Sequence, residues 1–506
     1  MIIDIELENV RLFEGSSWHF SLPALSVFCG TNNSGKSTIL KTLLLLKQCQ
    51  EIREPRYERQ GRLELVGQQV DLGNYSSLVS HNETRSDLFI AITIEDKMPY
   101  SSYQFLCGIN NDNLSSKADE QSVLYRLKTR FIFGISPETL KNETETIMIS
   151  SSPAALKKAV YEISVDENLL LSWEVVVSES GEPNEPKYDI IIPRNFLERL
   201  EAFKSVDDKE PNQETLHFKT SLKGILPFGL TAPLPPIIRD ATSDLDKALS
   251  DIHYLGPLRS PGKRHYVGSP NIETDDPTGK SIPFLLVDWS VYYSKVWNCP
   301  PRQPNQAGEE ILKDALNFWL YYLRTGHEPS EDSTEIEVSA KSDLYVEVKI
   351  KSVTETHNYP LIDSGFGYSQ VLPLPILVKG LLAKPGQTLV VEQPELHLNP
   401  ALQVRLSDFL VAMVCAGKQV LIETHSEHIV DAIRVLYVED ETGQLENKCR
   451  IFFIDTERDK PSVLPLDIQI DGSVPDWPQH FFGEAASLTG RLLRAQKKFR
   501  KKLRVT

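Results

Sequence analysis

GTNNSGKS, which occupies residues 30–37, matches the phosphate-binding-loop pattern G-x-x-x-x-G-K-[ST]. The apolar run at residues 25–29 predicts a buried strand before the loop, and the run at residues 38–46 predicts a helix after it. Backbone N–H groups of such a loop surround phosphates, the lysine charge lies near the β- and γ-phosphates, and the final hydroxyl binds Mg²⁺. We therefore predict an ATP site formed by Gly30, Asn32, Asn33, Ser34, Gly35, Lys36, Ser37 and Thr38.

A second motif, at residues 389–395, joins the apolar run LVV to EQPE. Short apolar runs are typical of buried parallel strands, and α/β sheets bind ligands at the carboxyl ends of such strands. Glu392 is therefore predicted to hold Mg²⁺ or its water, together with Ser37. The alternative is a strand that ends in solvated acids.

A third motif begins with the apolar run VLI at residues 420–422 and continues as Glu423-Thr424-His425-Ser426. It is also predicted to end a parallel strand at the ligand-binding edge. His425 could then contact the γ-phosphate. A lone histidine at a strand end is more often structural, but this one follows the first two motifs in the order expected of a nucleotide site.

Two further segments contain small residues. SGFGYSQ, at residues 364–370, precedes a helix-like apolar run and could form a second anion site, although a Gly-x-Gly turn is weak evidence by itself. A second Gly-Lys-Ser, at residues 279–281, has Thr274 where the first glycine of the loop pattern should stand. We expect that second segment to be an ordinary loop.

Composition excludes several classes of protein. The chain has 506 residues with 41% hydrophobic content, enough for two or three domains, and a net charge of -16 disfavours a surface coated for nucleic acid. Its six cysteines form no C-x-x-C pair, which predicts free thiols rather than a zinc site. No apolar run approaches the roughly 20 residues of a membrane helix, so we expect a cytoplasmic protein with no membrane partner.

The C-terminus departs from this acidic average. Residues 491–504 are rich in lysine and arginine, and apolar residues recur at helical spacing, which predicts a basic amphipathic helix. Such a helix could bind nucleic acid or a partner, or it could be a solvated terminal helix that packs on its own protein. We expect four parts overall: an N-terminal lobe (1–95), a partly β insertion (96–250), a C-terminal lobe (251–470) and a tail (471–506).

Taken in order, GTNNSGKST, SGFGYSQ, VVEQPELHLNP and ETHSEH resemble the SMC-like branch of ABC-type ATPases. That branch includes the overcoming-lysogenization-defect nucleases and the ATPases of Septu and retron anti-phage systems. The resemblance covers roughly residues 1–95 and 250–480, including HYLGPLRSPGKRHY at residues 253–266. It implies an α/β fold: an ABC-type (SMC-like) P-loop ATPase head with a β-containing insertion and a C-terminal helical tail.

The resemblance also implies a homodimer, or a higher even-numbered oligomer, with ATP sandwiched between the phosphate loop of one subunit and the signature segment of the other. That segment would be residues 364–370, with phosphate contacts from Ser364, Gly365, Gly367, Ser369 and Gln370.

Several positions leave alternatives open. The residue after the metal-binding acid is usually a glutamate in this branch, but here it is Gln393, which cannot accept a proton at neutral pH. Either Glu395 takes the catalytic role or hydrolysis is slow. Gln68 and Gln69 are weak candidates for completing the Mg²⁺ shell. Arg259 and Arg264 could add positive charge near the phosphates, bind a partner, or form surface salt bridges.

The absence of two sequence patterns disfavours two classes of protein. A zinc-hook repair ATPase needs heptad arms and a C-x-x-C apex, and a self-contained nuclease needs a D-x-D motif downstream of His425; neither pattern is present. We therefore expect an ATP-binding and ATP-hydrolysing sensor or scaffold that controls a separate effector, such as a nuclease, in anti-phage defence. The alternative is a DNA-repair or DNA-processing ATPase that acts directly on nucleic acid.

Overall fold

The computed structural model describes residues 1–15, 17–51, 60–80, 86–107, 122–135, 154–178, 187–197, 214–230, 234–268, 276–329, 335–342, 345–351, 358–360, 373–457 and 460–478.

The strands are β1 (Ile2–Glu8), β2 (Trp18–Ser21), β3 (Leu25–Gly30), β4 (Leu88–Pro99), β5 (Ser122–Ile135), β6 (Ala154–Val165), β7 (Asn168–Val177), β8 (Tyr188–Pro193), β9 (Thr215–Lys223), β10 (Leu226–Phe228), β11 (Ile252–Leu255), β12 (Tyr266–Val267), β13 (Lys295–Asn298), β14 (Gly308–Ile311), β15 (Ile336–Ser342), β16 (Tyr345–Lys351), β17 (Asn358–Pro360), β18 (Thr388–Glu392), β19 (Gln419–Glu423), β20 (Cys449–Glu457) and β21 (Lys460–Asp467). The α-helices are α1 (Lys36–Gln50), α2 (Tyr75–Leu78), α3 (Tyr100–Leu106), α4 (Arg194–Leu197), α5 (Pro236–Ser250), α6 (Ile282–Val287), α7 (Trp289–Tyr292), α8 (Leu312–Thr325), α9 (Leu374–Leu382), α10 (Pro400–Cys415) and α11 (Glu427–Glu439).

A mostly parallel sheet forms the centre of the fold, with the strand order β11-β18-β19-β3-β20-β21 among the described residues. Only β21 runs antiparallel to its neighbour. The apolar runs before the three motifs are β3, β18 and β19, and every residue of these strands is buried. Both faces of the sheet are covered, which is why the strands read as continuous apolar runs rather than alternating ones.

The two faces of this sheet contribute to different cores. Val390 and Leu421 pack in a core shared with α1 and the second large sheet. Leu389 and Val420, one position earlier on each strand, pack in a core shared with α8, α9, α10 and α11. The alternation follows from the two-residue period of strand side chains.

The second large sheet is antiparallel, in the order β10-β9-β8-β7-β6-β5-β4-β1-β2. It contains the β-rich runs of the expected insertion, because residues 169–177 lie in β7 and residues 188–192 lie in β8. The expected insertion begins inside β4, so its strands extend the sheet that the N-terminal strands start. Tyr161 and Trp173 stack at 4.9 Å in its core.

Each of the two later motifs runs directly from a strand into a helix. After β18, the Asn399 side chain accepts a hydrogen bond from the Leu402 N–H and caps α10. After β19, the Ser426 side chain accepts from the Ile429 N–H and caps α11. The caps fix where each helix begins, so the loops that carry Glu395 and His425 are short.

Two expectations fall on other parts of the chain. Residues 364–370 and the basic segment at residues 491–504 lie outside the described residues. All six cysteines are free thiols. Among the helices that the structure describes, none combines the length and apolarity needed to cross a membrane.

Candidate ATP-binding site

Three adjacent strand ends bring the sequence motifs together. β18 pairs with β19 and β19 pairs with β3, all in parallel, so that Glu392 lies beside Glu423 and Glu423 lies beside Phe28. The phosphate loop leaves β3 two residues later, at Gly30. All three motifs therefore meet at one edge of the sheet, where α/β folds bind ligands.

Glycines shape the phosphate loop. Gly30 has φ +135, and a Cβ built there would lie 1.8 Å from the Ile454 carbonyl oxygen of neighbouring strand β20. Gly35 has φ +102 at the start of α1, with the Phe13 ring 3.0 Å from a built Cβ. Both positions therefore require glycine. Asn32 and Asn33 lie exposed at the tip, and Asn33 also has positive φ.

Inside the loop, short hydrogen bonds hold the functional side chains. Ser34 Oγ donates to the Thr31 carbonyl at 2.9 Å, and the Thr38 N–H donates to the Gly35 carbonyl at 3.0 Å. The Lys36 ammonium donates to the carbonyls of Gly30 and Thr31. Burial lowers the pKa of Lys36. Because this buried ammonium donates to neutral carbonyls of the loop, it is well placed to exchange them for phosphate oxygens.

Two buried acids lie next to the start of α1. Ser37 Oγ donates to Glu423 Oε1 at 2.8 Å, and Tyr254 donates its hydroxyl to Glu392 Oε1 at 2.9 Å. Glu392 and Glu423 are 2% and 3% exposed. Burial and the neighbouring Glu423 charge raise the pKa of Glu392 to about 7, and burial also raises the pKa of Glu423.

This arrangement fits a divalent cation. Glu423 Oε2 is buried and has no hydrogen-bond partner among the described residues, which is costly unless a ligand supplies one. The donor set is a serine hydroxyl with two carboxylates, the oxygen ligands that Mg²⁺ prefers. Ser37 and Glu392 are the predicted metal ligands. Glu423 was not included in the predicted donor set, although its place at the end of an apolar run was the same signal that identified Glu392.

Gln393 and Glu395 differ in their surroundings. Gln393 has φ +46, and its N–H donates to the Glu423 carbonyl at 2.7 Å. Glu395 accepts from Thr424 Oγ1 at 2.8 Å and from the His425 N–H at 2.7 Å, one bond to each carboxylate oxygen. Glu395 thus joins the loop after β18 to the end of β19.

His425 lies against the phosphate loop. Burial and the Lys36 charge lower its pKa, and a hydrogen bond to the Gly30 backbone acts in the opposite direction. The imidazole is therefore mainly neutral at neutral pH and retains one N–H donor. Its contact with Gly30 places that donor beside the loop that the sequence assigned to phosphate binding.

Contacts in the structure bear on two roles that the sequence left open. Among the described residues, Arg259 forms no surface salt bridge: its Nη2 donates to the carbonyls of Glu392 at 3.2 Å and Gln393 at 3.0 Å, and burial lowers its pKa to about 10. Gln69 lies far from the proposed metal, because its N–H donates to the Gln48 side chain. At about 1.5 Å per residue, Gln48 is roughly 16 Å along α1 from Ser37. Gln68 is exposed next to it.

The fold and this site define a P-loop ATPase domain. The sequence profile described as the AAA ATPase domain matches residues 1–215 and 308–430, more than half of the chain, and the chain belongs to that family. The predicted fold class, an α/β P-loop ATPase head with a β-containing insertion, is confirmed by this match and by the sheet order. No curated protein matches the chain.

Solved structures that resemble the chain include three SMC head domains. The SMC head bound to the C-winged helix domain of ScpA has 10% identity and a TM-score of 0.36, over 93% of this chain and 98% of that chain. The SMC head domain from Thermotoga maritima has 8% identity and a TM-score of 0.36, over 92% and 99%. The Pyrococcus furiosus SMC head with an extended coiled coil, bound to the C-terminal domain of ScpA, has 10% identity and a TM-score of 0.38, over 92% and 96%.

Proposed function

We propose that the chain binds ATP with Mg²⁺ and hydrolyses it slowly, in a head-to-head dimer of the SMC-like ABC type. The observation that carries the proposal is the convergence of Lys36, Ser37, Glu392, Glu423 and His425 at one sheet edge. Lys36 and the loop N–H groups would bind the phosphates, and His425 would donate to the γ-phosphate. Ser37, Glu392 and Glu423 would hold Mg²⁺, which neutralises charge on the phosphates when bound.

Slow hydrolysis follows from the groups available to activate water. The Gln393 amide can orient a water molecule but cannot take its proton. Both carboxylate oxygens of Glu395 already accept hydrogen bonds from the end of β19. Because neither group is a free base, we propose that bound ATP persists.

A persistent nucleotide suits a sensor or scaffold, since ATP bound between two heads stabilises the closed dimer by mass action. We propose that the closed dimer controls a separate effector in anti-phage defence. This part rests on the order of the four motifs and their resemblance to the SMC-like branch.

Two experiments test the dimer and the effector. Light scattering with and without a nonhydrolysable ATP analogue tests the dimer, and a monomer in both nucleotide states contradicts the proposal. Purification with the neighbouring gene products tests the effector.

Lys36→Ala tests the nucleotide site. We expect ATP binding to fall below detection in calorimetry, because the variant removes the ammonium that opposes the phosphate charge. Lys158→Ala is the matched control, since Lys158 pairs with Glu174 at 2.7 Å on the antiparallel sheet. It should bind ATP like the wild type. Equal ATP affinity in Lys36→Ala and the wild type would refute the assignment.

A further inference from the structure

β11 is the edge strand of the parallel sheet, and buried lysines cover its outer edge. Lys47 of α1 donates to the carbonyls of Ser250 and Ile252, and Lys379 of α9 donates to the carbonyl of Tyr254. Both lysines are at most 3% exposed. Edge carbonyls buried without a donor are costly, so these contacts fix β11 between the helix that follows the phosphate loop and α9.

Tyr254 extends from this fixed strand to the neighbouring one. It lies beside Val390 in the register of β11 and β18, and Glu392 follows two residues later on the same face. A diagonal neighbour at this spacing is within reach of a long aromatic side chain. The Tyr254 hydroxyl accordingly donates to Glu392 Oε1 at 2.9 Å, and Tyr254 as a whole is 4% exposed.

The same segment also holds the backbone of this acid. Five residues after Tyr254, Arg259 donates to the carbonyls of Glu392 and Gln393. Both residues come from the segment at residues 253–266, for which the sequence suggested no definite role. Together they fix the side chain and the main chain of Glu392, at a turn where Gln393 has positive φ.

We propose that Tyr254 is a positioning residue that orients the Glu392 carboxylate for Mg²⁺ and links it to α9. The inference rests on the proposed function, because it assigns Glu392 to the metal. Because Oε1 accepts from the tyrosine hydroxyl, Oε2 is the oxygen of Glu392 that would be left to bind a cation. Groups that hydrogen-bond metal ligands typically change metal affinity by about 10- to 100-fold when removed.

Tyr254→Phe tests this role, since it removes only the hydroxyl. The affinity for a nonhydrolysable ATP analogue is measured by calorimetry with saturating Mg²⁺ and with EDTA. We expect the gain in affinity from Mg²⁺ to shrink about 10-fold, with the EDTA affinity unchanged. Tyr322→Phe is the matched control, because Tyr322 donates to the buried Asp408 carboxylate at 2.8 Å elsewhere in the fold. It should keep the full Mg²⁺ gain.

A double-mutant cycle with Glu392→Gln separates positioning from general destabilisation. If Tyr254 acts through Glu392, adding Tyr254→Phe to Glu392→Gln should leave the remaining Mg²⁺ gain unchanged. Independent, additive losses would overturn the inference, as would a wild-type Mg²⁺ gain in Tyr254→Phe alone or an equal loss in Tyr322→Phe. If the wild type binds no analogue with or without Mg²⁺, the proposed function fails instead.

Discussion

The two large sheets differ in how their charged side chains are paired. On the antiparallel sheet, acids of β1 pair with bases of β5 across the intervening strand β4, as in Lys128–Glu6 at 2.6 Å and Arg130–Glu8 at 3.0 Å. At the carboxyl edge of the parallel sheet, Glu392 and Glu423 are buried side by side, and their side chains accept hydrogen bonds from the hydroxyls of Tyr254 and Ser37, respectively.

The amino end of the parallel sheet shows the same pattern with the opposite charge. Lys418, just before β19, is 0% exposed and donates to the carbonyls of Trp297, Gly380 and Leu381. In partly exposed pairs such as Lys128–Glu6, the two opposite charges satisfy each other in the folded protein. Buried groups of one sign oppose folding unless they shift their protonation or bind a ligand, so they are where a ligand site is expected.

The largest effect is expected at Gln393, whose amide cannot accept a proton at neutral pH. Gln393→Glu supplies a carboxylate next to the proposed metal, and general-base catalysis typically contributes about 10²–10⁴-fold. We expect steady-state ATPase activity to rise by at least about 10-fold, measured by phosphate release. ATP affinity, measured in parallel, should change much less than the rate.

Glu395→Gln provides the opposing experiment. Because the Glu395 carboxylate accepts bonds from Thr424 and the His425 N–H, we expect its loss to weaken the loop without abolishing turnover. If the wild type already turns over quickly, Gln393→Glu has no effect and Glu395→Gln stops hydrolysis, then Glu395 is the base and slow hydrolysis is wrong.

The parts of the fold that could be predicted from the sequence are those that a short stretch of residues determines by itself. The phosphate loop needs glycine at Gly30 and Gly35, and strands buried on both faces must be continuously apolar. Both features can therefore be recognised in the amino-acid sequence. The antiparallel sheet was less visible. Some of its strands are joined by short turns, as β6 and β7 are, but nothing local indicates that β1 pairs with β4, more than 80 residues later in the chain.

The candidate site was only partly visible for a related reason. Glu392 and His425 follow strands that could be identified, but Tyr254 reaches Glu392 only because β11 lies beside β18. The role of Arg259 depends on carbonyl groups, which have no signature in sequence. Gln68 and Gln69 were only weak candidates, and the contact of Gln69 with Gln48, far along α1 from Ser37, depends on packing that the sequence does not show.

A further test of the contrast between the two sheets concerns the buried Lys418. Burial lowers the pKa of Lys418 from the ordinary 10.5 to about 7. Between pH 7 and pH 10.5, Lys418 is protonated in the unfolded chain but largely neutral in the folded protein. The contribution of Lys418 to the free energy of unfolding therefore rises with pH. The slope is at most about 1.4 kcal/mol per pH unit. Below about pH 7 both states are protonated and the slope vanishes.

Lys418→Met isolates this contribution. Urea unfolding at pH 7, 8 and 9 should show the stability of the wild type rising relative to the variant. The difference between the two proteins removes the titration of buried tyrosines and cysteines, which is common to both. A difference that stays constant across this range would mean that Lys418 remains protonated in the folded protein, and that the three carbonyls suffice to hold its charge.

The smallest effect is expected on the antiparallel sheet, where Lys128→Ala breaks the pair with Glu6. The Lys128 side chain is 39% exposed, and exposed pairs typically contribute about 0.2–1 kcal/mol because water screens them. Urea unfolding should therefore show a loss within that range, and calorimetry should show unchanged ATP affinity. A double-mutant cycle of Lys128→Ala and Glu6→Gln measures the interaction free energy of the pair alone, since the cycle subtracts the packing of each side chain. A loss above about 2 kcal/mol, or a weaker ATP site, would mean that the charges of the two sheets are coupled and that the contrast between them is wrong.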